Sequence, residues 1–376
     1  MLIVTRWLGQ ARLSKTHSKI ALMCIIAGVL YGLAGVGVIL LMTLMSFLSV
    51  GRDSPVSHGI SVVDSSRLGG VAIGILFCAY IIGLTLLSPY TPGVIRLERE
   101  LYLWLAILAC ALLGFAEDLK PDFLTPVLRL AAKFVVLGSL FWAWPELVPA
   151  KLGVVGVDAL LQFPLLAWAL TTVFCVGFIN AFNMADGANG LVPGIAAVVC
   201  TIFFMEYGRP ADGILMFICT MFLIFNVISG WFFLGDTGSY GLGAIILGYG
   251  LNGVAAGDFS IWFMVALLAY PCLDFVGSVV RRVIVGQSPF AADNGHLHNH
   301  LHQRLKLALK SKVMANSFTG LLISGCTSGL VLAGYAAGWR AANSGDWVWV
   351  FVFEFVMYLL GMWLLPQRAN KLAGVV

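Results

Sequence analysis

Four carboxylates, a set of amides and a cluster of imidazoles lie in short polar stretches of an otherwise oily chain. They are Glu117 and Asp118 in GFAEDLKPD, Asn180, Asn183, Asp186 and Asn189 in NAFNMADGANG, Asp236 in FFLGDTGS, and His296, His298 and His300 in RRVIVGQSPFAADNGHLHNH. A fifth stretch, SSRLGG, adds Arg67 and the pair Gly69 and Gly70. Carboxylate oxygens with an asparagine carbonyl can hold Mg²⁺, which typically keeps few protein ligands and completes its shell with water and substrate phosphates. Arginine and histidine offer charge-assisted donors to a diphosphate. Phosphoryl transfer relies mostly on positioning and electrostatic stabilisation, so this set of side chains suits it. A substrate that is half lipid would explain the oily setting.

The elements that must position these groups are apolar spans. The chain has 376 residues, 60% hydrophobic and 11% charged, with a mean hydropathy of +0.96. No water-soluble domain has that composition. A helix needs about 20 mostly apolar residues to cross a bilayer core, with its backbone polar groups satisfied inside the segment. About eleven such segments are legible, at 20–48, 69–88, 101–116, 126–144, 159–180, 189–206, 212–228, 238–256, 259–280, 319–338 and 347–366. The expected fold is an all-α polytopic membrane protein forming one domain over 1–376, with no repeat, no linker and no appended soluble unit. Each of the five polar stretches follows or adjoins an odd-numbered span, so all five reach the same face.

Positive charge sets the expected orientation. The connection between spans nine and ten carries Arg281, Arg282, Arg304, Lys306, Lys310 and Lys312, and the tail adds Arg368 and Lys371, which the positive-inside rule places in the cytoplasm. Arg6, Arg12, Lys15 and Lys19 pull the N-terminus the other way, but loop parity and the larger basic loop agree. The first segment is long and lacks an A-x-A cleavage site, so it reads as a retained span. The eight cysteines fall one per span across eight spans, with no disulfide or zinc spacing, and read as small buried apolar residues.

An aspartate at a helix centre costs roughly 2.5 to 3.5 kcal/mol on insertion scales. Asp118, Asp186 and Asp236 border spans, and Asp274 lies inside span nine. A lone loop carboxylate is as often merely solvated or capping, and aspartate and asparagine cap helices well. The shared face and the neighbouring Gly187, Gly190, Gly235 and Gly238, which permit tight turns, favour a site.

Three ordered motifs, NAFNMADGANGL, FLGDTGS and SPFAADNGHLH after the Arg281 and Arg282 pair, resemble the polyprenyl-phosphate N-acetylhexosamine-1-phosphate transferases over about residues 52–305. That resemblance implies transfer of a sugar phosphate from a UDP-sugar, of the UDP-GlcNAc type, to undecaprenyl phosphate with release of UMP. It implies Mg²⁺, with Mn²⁺ as an alternative ion, and a cytoplasm-facing site in a bacterial inner membrane. By position, Asp118 looks like the second acid of the family's aspartate pair, which activates or positions the lipid phosphate, and Glu117 stands where Asp is usual. Asp236 looks like the main metal ligand, with Asn183. Asn180 and Asp186 resemble the polar signature around the nucleotide, Asn189 a position associated with uracil, and Phe233 an aromatic that stacks on it. Arg129 resembles a basic residue that meets phosphate, with Lys133 a weaker substitute one turn on. His296 and His298 match the start of the histidine cluster, where Asn299 replaces a His. Arg282, with Arg281, either meets the diphosphate or anchors the end of span nine. Asp293 resembles a substrate-loop position. Arg67, Gly69 and Gly70, with His58 upstream, resemble a substrate-side motif and carry no catalytic assignment.

Alternatives within and beyond the family stay open from sequence: a phospho-MurNAc-pentapeptide transferase, a proton-coupled transporter, or an inactive lipid-binding relative. Expected partners are the lipid acceptor, the UDP-sugar and the bilayer, with a homodimer compatible and nothing pointing to nucleic acid. The named glycan, such as O-antigen, is an extension of the same resemblance.

Overall fold

The computed structural model describes residues 2–47, 52–53, 65–86, 97–120, 123–288, 294–309 and 311–365. His58, Asp293, Lys310, Arg368 and Lys371 lie outside the described residues. The elements are α1 (Leu2–Ser46), β1 (Arg52–Asp53), β2 (Ser65–Ser66), α2 (Gly69–Leu86), α3 (Leu97–Leu119), α4 (Pro126–Ala143), α5 (Val157–Leu161), α6 (Pro164–Ala185), α7 (Val192–Tyr207), α8 (Pro210–Ser229), α9 (Gly235–Ala256), α10 (Ile261–Leu267), α11 (Ala269–Ile284), α12 (Leu297–Ala308), α13 (Lys312–Cys326), α14 (Ser328–Ala336) and α15 (Val348–Leu364). β1 and β2 form one short antiparallel pair. The all-α membrane architecture expected from composition is what the chain adopts.

Punctuation is local and legible. Pro126, Pro164 and Pro210 open α4, α6 and α8, where a missing N–H costs nothing. Gly208, Gly230 and Gly257 close α7, α8 and α9 in the left-handed conformation.

Among the described residues six helices are long and apolar enough to cross a bilayer, or eight if each of two bent pairs counts as one span. The other three expected spans fall on α2, α7 and α9, which are shorter or less apolar. The case of α9 has a physical reason: it packs against α2, α3, α6 and α7, and most of its residues are buried. A helix walled by protein can be glycine-rich instead of oily. Gly238 and Gly70 show the use of this, since a Cβ on Gly70 would lie 2.1 Å from the Gly238 nitrogen.

The expected spans at 259–280 and 319–338 are each broken. α10 and α11 meet at 77°, and α13 and α14 at 44°. Pro271, near the start of α11, has no N–H to offer the carbonyl four residues back, that of Leu267. The Ser328 hydroxyl, at the start of α14, donates to that carbonyl at 2.7 Å, so one break satisfies the other. All eight cysteines are free thiols, with Cys200 and Cys219 4.0 Å apart at sulfur; the expected burial holds for Cys110, Cys175, Cys200 and Cys219, but Cys78 and Cys326 are exposed on the outside of the bundle.

Candidate active site

The start of α9 is the hub. Gly235 adopts φ +70°, and a Cβ there would fall 2.1 Å from the Arg67 carbonyl oxygen and 2.7 Å from an Asp118 oxygen. This turn exposes the first N–H groups of α9, which have no partners within the helix. Asp118, at the end of α3, takes them: Oδ1 accepts from the Asp236 N–H at 2.9 Å, and Oδ2 accepts from the Thr237 N–H at 2.8 Å and the Thr237 hydroxyl at 2.6 Å. Asp118 therefore caps a helix 118 residues further on, and its charge sits at the positive end of the α9 dipole. Gly114, one turn earlier on α3, lets the two backbones touch, since a Cβ there would be 2.2 Å from the Asp236 carbonyl oxygen.

Asp236 is met from the other side by Asn183, near the end of α6. The Asn183 amide donates to Asp236 Oδ1 and to the Ser239 hydroxyl, both at 2.8 Å, which leaves its own carbonyl oxygen outside these bonds. Asp186, the C-cap of α6, has its carboxyl pushed well above the ordinary value, first by burial and then by the charges of Asp236 and Asp118, while the Gly235 N–H pulls the other way. The first polar stretch lines the same turn: Phe233 N–H donates to the Ser66 carbonyl at 2.8 Å, and the Gly69 and Gly70 N–H groups donate to the carbonyls of Phe233 and Leu234. The Phe233 side chain is half-buried.

Positive charge arrives on α4. Lys133 is fully buried, donates to Asn180 Oδ1 at 2.6 Å and lies 3.9 Å from the centre of the Tyr240 ring. Asp236 is among the charges that act on it. Arg129, one turn earlier, is 3.3 Å from Glu117 Oε2, and Glu117 Oε1 also accepts from the Leu124 N–H at 2.8 Å. The longer acid in the first place of the pair thus reaches the α3 to α4 connection and holds Arg129.

The histidines come in over the third polar stretch. His298 packs on Gly187, where a Cβ would lie 2.3 Å from Nε2. The Tyr270 hydroxyl accepts from the His298 N–H at 3.3 Å and lies 2.8 Å from Nδ1; donating its proton there leaves His298 with Nε2–H toward the loop. Burial, foremost, holds the His298 imidazole down to about 4, so it is neutral. His296 stacks parallel to it, ring centres 5.3 Å apart, and its Nδ1 is 2.6 Å from Asp274 Oδ2.

Most of the expected site residues converge at one end of the bundle. Asp118, Asn183, Asp186, Asp236, Asn180, Arg129 and Glu117 are linked directly or through one neighbour, and His296 and His298 join through Gly187. Two sit apart from the hub contacts. Asn189 is buried against α13, its N–H donating to Asn316 Oδ1 at 3.0 Å and its amide 3.4 Å from the Ser317 hydroxyl. Arg282 is buried, donating to the Ser278 hydroxyl at 2.9 Å in the last turn of α11. Lys133 earned more weight than its sequence position suggested, and Thr237, Ser239, Tyr240 and Tyr270 were missed. A lysine facing the interior of an apolar helix was the available signal for the first; the rest are ordinary residues of the spans.

Among the described residues no three His, Cys, Asp or Glu side chains are arranged to hold a metal by themselves. The Asp236 carboxylate and the Asn183 carbonyl nevertheless supply hard oxygen donors, and the repulsion between Asp186 and the charges of Asp236 and Asp118 is what a cation would relieve. This donor set fits Mg²⁺ bound with water and substrate oxygens.

Such a fold and site define a polytopic membrane protein with a polar, oxygen-rich cluster at one end of its helix bundle. Comparison with known proteins bears out the resemblance in the motifs: residues 101–254 match glycosyl transferase family 4. The chain is 28% identical over 290 residues to a decaprenyl-phosphate N-acetylglucosaminephosphotransferase of Mycobacterium leprae, covering 68% of this chain and 72% of that protein. It is 32% identical over 145 residues to a probable undecaprenyl-phosphate N-acetylglucosaminyl 1-phosphate transferase of Bacillus subtilis, covering 36% and 40%. A phospho-N-acetylmuramoyl-pentapeptide-transferase of Synechococcus sp. is 28% identical over 223 residues, covering 57% and 60%.

Proposed function

We propose that this protein transfers N-acetylhexosamine 1-phosphate from a UDP-sugar of the UDP-GlcNAc type to undecaprenyl phosphate, releasing UMP, at the cytoplasmic face of a bacterial inner membrane. The observation that carries this reading is the junction of Asp118, Asn183 and Asp236 at the start of α9, with buried Lys133 beside it. An oxygen of the lipid phosphate attacks the β-phosphorus of the donor; the bond from that phosphorus to the bridging oxygen breaks, and UMP departs with the bridging oxygen and its electrons. Asp236 and Asn183 would hold Mg²⁺, which when bound supplies charge neutralisation on the diphosphate. Lys133 places a fixed positive charge next to the same oxygens. Arg129, steadied by Glu117, meets the lipid phosphate near the α4 start. That phosphate has a second pKa near 6, about as for a phosphorylated side chain, so a strong base is not required. Asp118 serves chiefly by fixing the turn that carries Asp236, and through it the approach of the two phosphates.

The test is direct. Membranes containing the protein, undecaprenyl phosphate and Mg²⁺ are given labelled UDP-GlcNAc, UDP-GalNAc or UDP-MurNAc-pentapeptide. Mg²⁺-dependent UMP release with lipid-extractable label from an N-acetylhexosamine donor is expected. Label from the pentapeptide donor alone assigns the peptidoglycan reaction, and none from any donor rejects the transferase reading. The commitment to O-antigen or a related glycan is tested by loss of that glycan when the gene is deleted.

A further inference from the structure

The last span reaches into the site, far from the segment that matches glycosyl transferase family 4. Asp274 of α11 is 2% exposed and accepts on both oxygens: Oδ2 from the His296 Nδ1–H at 2.6 Å, Oδ1 from the Leu297 N–H at 3.1 Å and from the Tyr358 hydroxyl of α15 at 3.3 Å. Gly277 makes room for this: a Cβ there would lie 2.7 Å from the Tyr358 oxygen and 3.4 Å from Arg281 Nη1. Arg281 itself hydrogen-bonds Tyr358. One turn along α15, Gly361 receives the Leu297 side chain, which would lie 3.0 Å from a Cβ there. The start of α12 thus meets α15 directly at Gly361 and, a turn away, through Asp274, which bonds both the Leu297 N–H and Tyr358.

We infer that Asp274 and Tyr358 are positioning residues of the transferase: Asp274 accepts from Nδ1 of His296 and so fixes the ring, Tyr358 holds that carboxylate through its hydroxyl, and Nε2 is left to face the donor diphosphate. The inference rests on the proposed function. A carboxylate at a ring nitrogen fixes which nitrogen carries the proton and stabilises the imidazolium. His298 is held neutral, so of the stacked pair His296 is the ring suited to meet an anion. The titratable and charged groups around the pair are Tyr270, Asp274 and Arg281 of α11, Tyr358 of α15, and His298, His300 and His302 of α12, while Asp186 adjoins the Gly187 on which His298 packs.

The test compares Asp274→Asn and Tyr358→Phe in the full-length protein. If His296 meets the diphosphate only while Asp274 holds its ring, loosening that hold weakens use of the UDP-sugar and leaves use of the lipid acceptor alone. Asp274→Asn replaces the carboxylate at Nδ1 and should raise the KM for the UDP-sugar by about tenfold or more. Tyr358→Phe removes only the 3.3 Å donor to Asp274 Oδ1 and should raise it by a smaller factor. A graded rise confined to the UDP-sugar, with the KM for the lipid acceptor unchanged, is the expected result, and a merely structural pair would not give it. Equal or absent changes in that KM, with wild-type UMP release intact, overturn the inference. Independently of substrate, ¹⁵N spectra of histidine-labelled protein, with His296 assigned through His296→Gln, should show a carboxylate-bonded Nδ1–H that Asp274→Asn abolishes; an unchanged signal also overturns it. If wild-type protein releases no UMP, the proposed function fails while the spectra still decide the pairing. Should Asp274→Asn fail to fold, Tyr358→Phe and the wild-type spectrum carry the test.

Discussion

Thr237→Val separates a capping Asp118 from one acting as a simple base. The substitution keeps the shape of the side chain and its N–H bond, and removes only the hydroxyl that donates to Asp118 Oδ2 at 2.6 Å. A hydrogen bond to a charged, buried acceptor contributes about 1.5 to 3 kcal/mol. If about half of that holds the turn in its reactive geometry, kcat falls by roughly 4- to 12-fold, at 1.36 kcal/mol per decade. Asp118→Asn is harsher. Its amide group must face at least one of the three donors that now converge on the carboxylate, so one or two bonds are lost outright, a donor is set against a donor, and the rest lose their charge assistance. About 3 to 6 kcal/mol is then at stake, enough for loss of turnover by a factor of about 100 or more. Initial rates of UMP release, with thermal unfolding in detergent as the control for folding, measure both. Under a base-only role, Thr237→Val is close to wild type and Asp118→Asn is dead. Near wild-type turnover in Asp118→Asn would remove Asp118 from any part in the reaction, and an unaffected Thr237→Val would refute the capping argument.

Gly114→Ala places a Cβ 2.2 Å from the Asp236 carbonyl oxygen, so backbone must shift; the expected outcome is loss of activity by a factor of about 100 or loss of folded protein, read by UMP release and by yield on gel filtration. Acid sensitivity follows from His298. Its folded value of about 4 lies below the free value near 6.5, so the stability it contributes is complete above about 6.5 and is lost as pH falls toward 4, by roughly 3 kcal/mol at most; thermal unfolding across that window should flatten in His298→Gln. Asp186 works in the other sense. Its raised carboxyl disfavours the fold as pH rises through the interval above the free value, so added Mg²⁺ should raise the unfolding temperature more at the upper end of that interval than below it, and Asp186→Asn should remove the difference.

What the sequence made legible was local. Asp236 and Asn183 stood out because glycine turns and polar side chains break an apolar run, and the parity of the spans told that their loops meet. The Glu117 departure could be noticed but not interpreted, because its partner Arg129 lies across a turn of unknown course. Tyr240 and Tyr358 escaped, and Lys133 and Asp274 were noticed without their roles, for one reason: their meaning lies in partners 22 to 107 residues away, or in a ring packed under a charge, and no single-chain periodicity records that. The tether of Asn189 to Asn316, across 127 residues, was hidden in the same way. The expected span at 238–256 falls on α9, whose sequence is rich in glycine because it has protein around it. Pro271 was a readable sign of the α10 to α11 break; that Ser328 would repair it was not.

The glycine-rich character of α9 has a consequence for how the protein is made. A segment with so many glycines is held in the bilayer by close backbone contact with α3 and α6, both of which are synthesised before it. Asp236 and Thr237 of α9 bridge the Asn183 and Asp118 side chains, so a ribosome halted before residue 235 leaves behind α3 and α6 without the segment that ties their polar ends together.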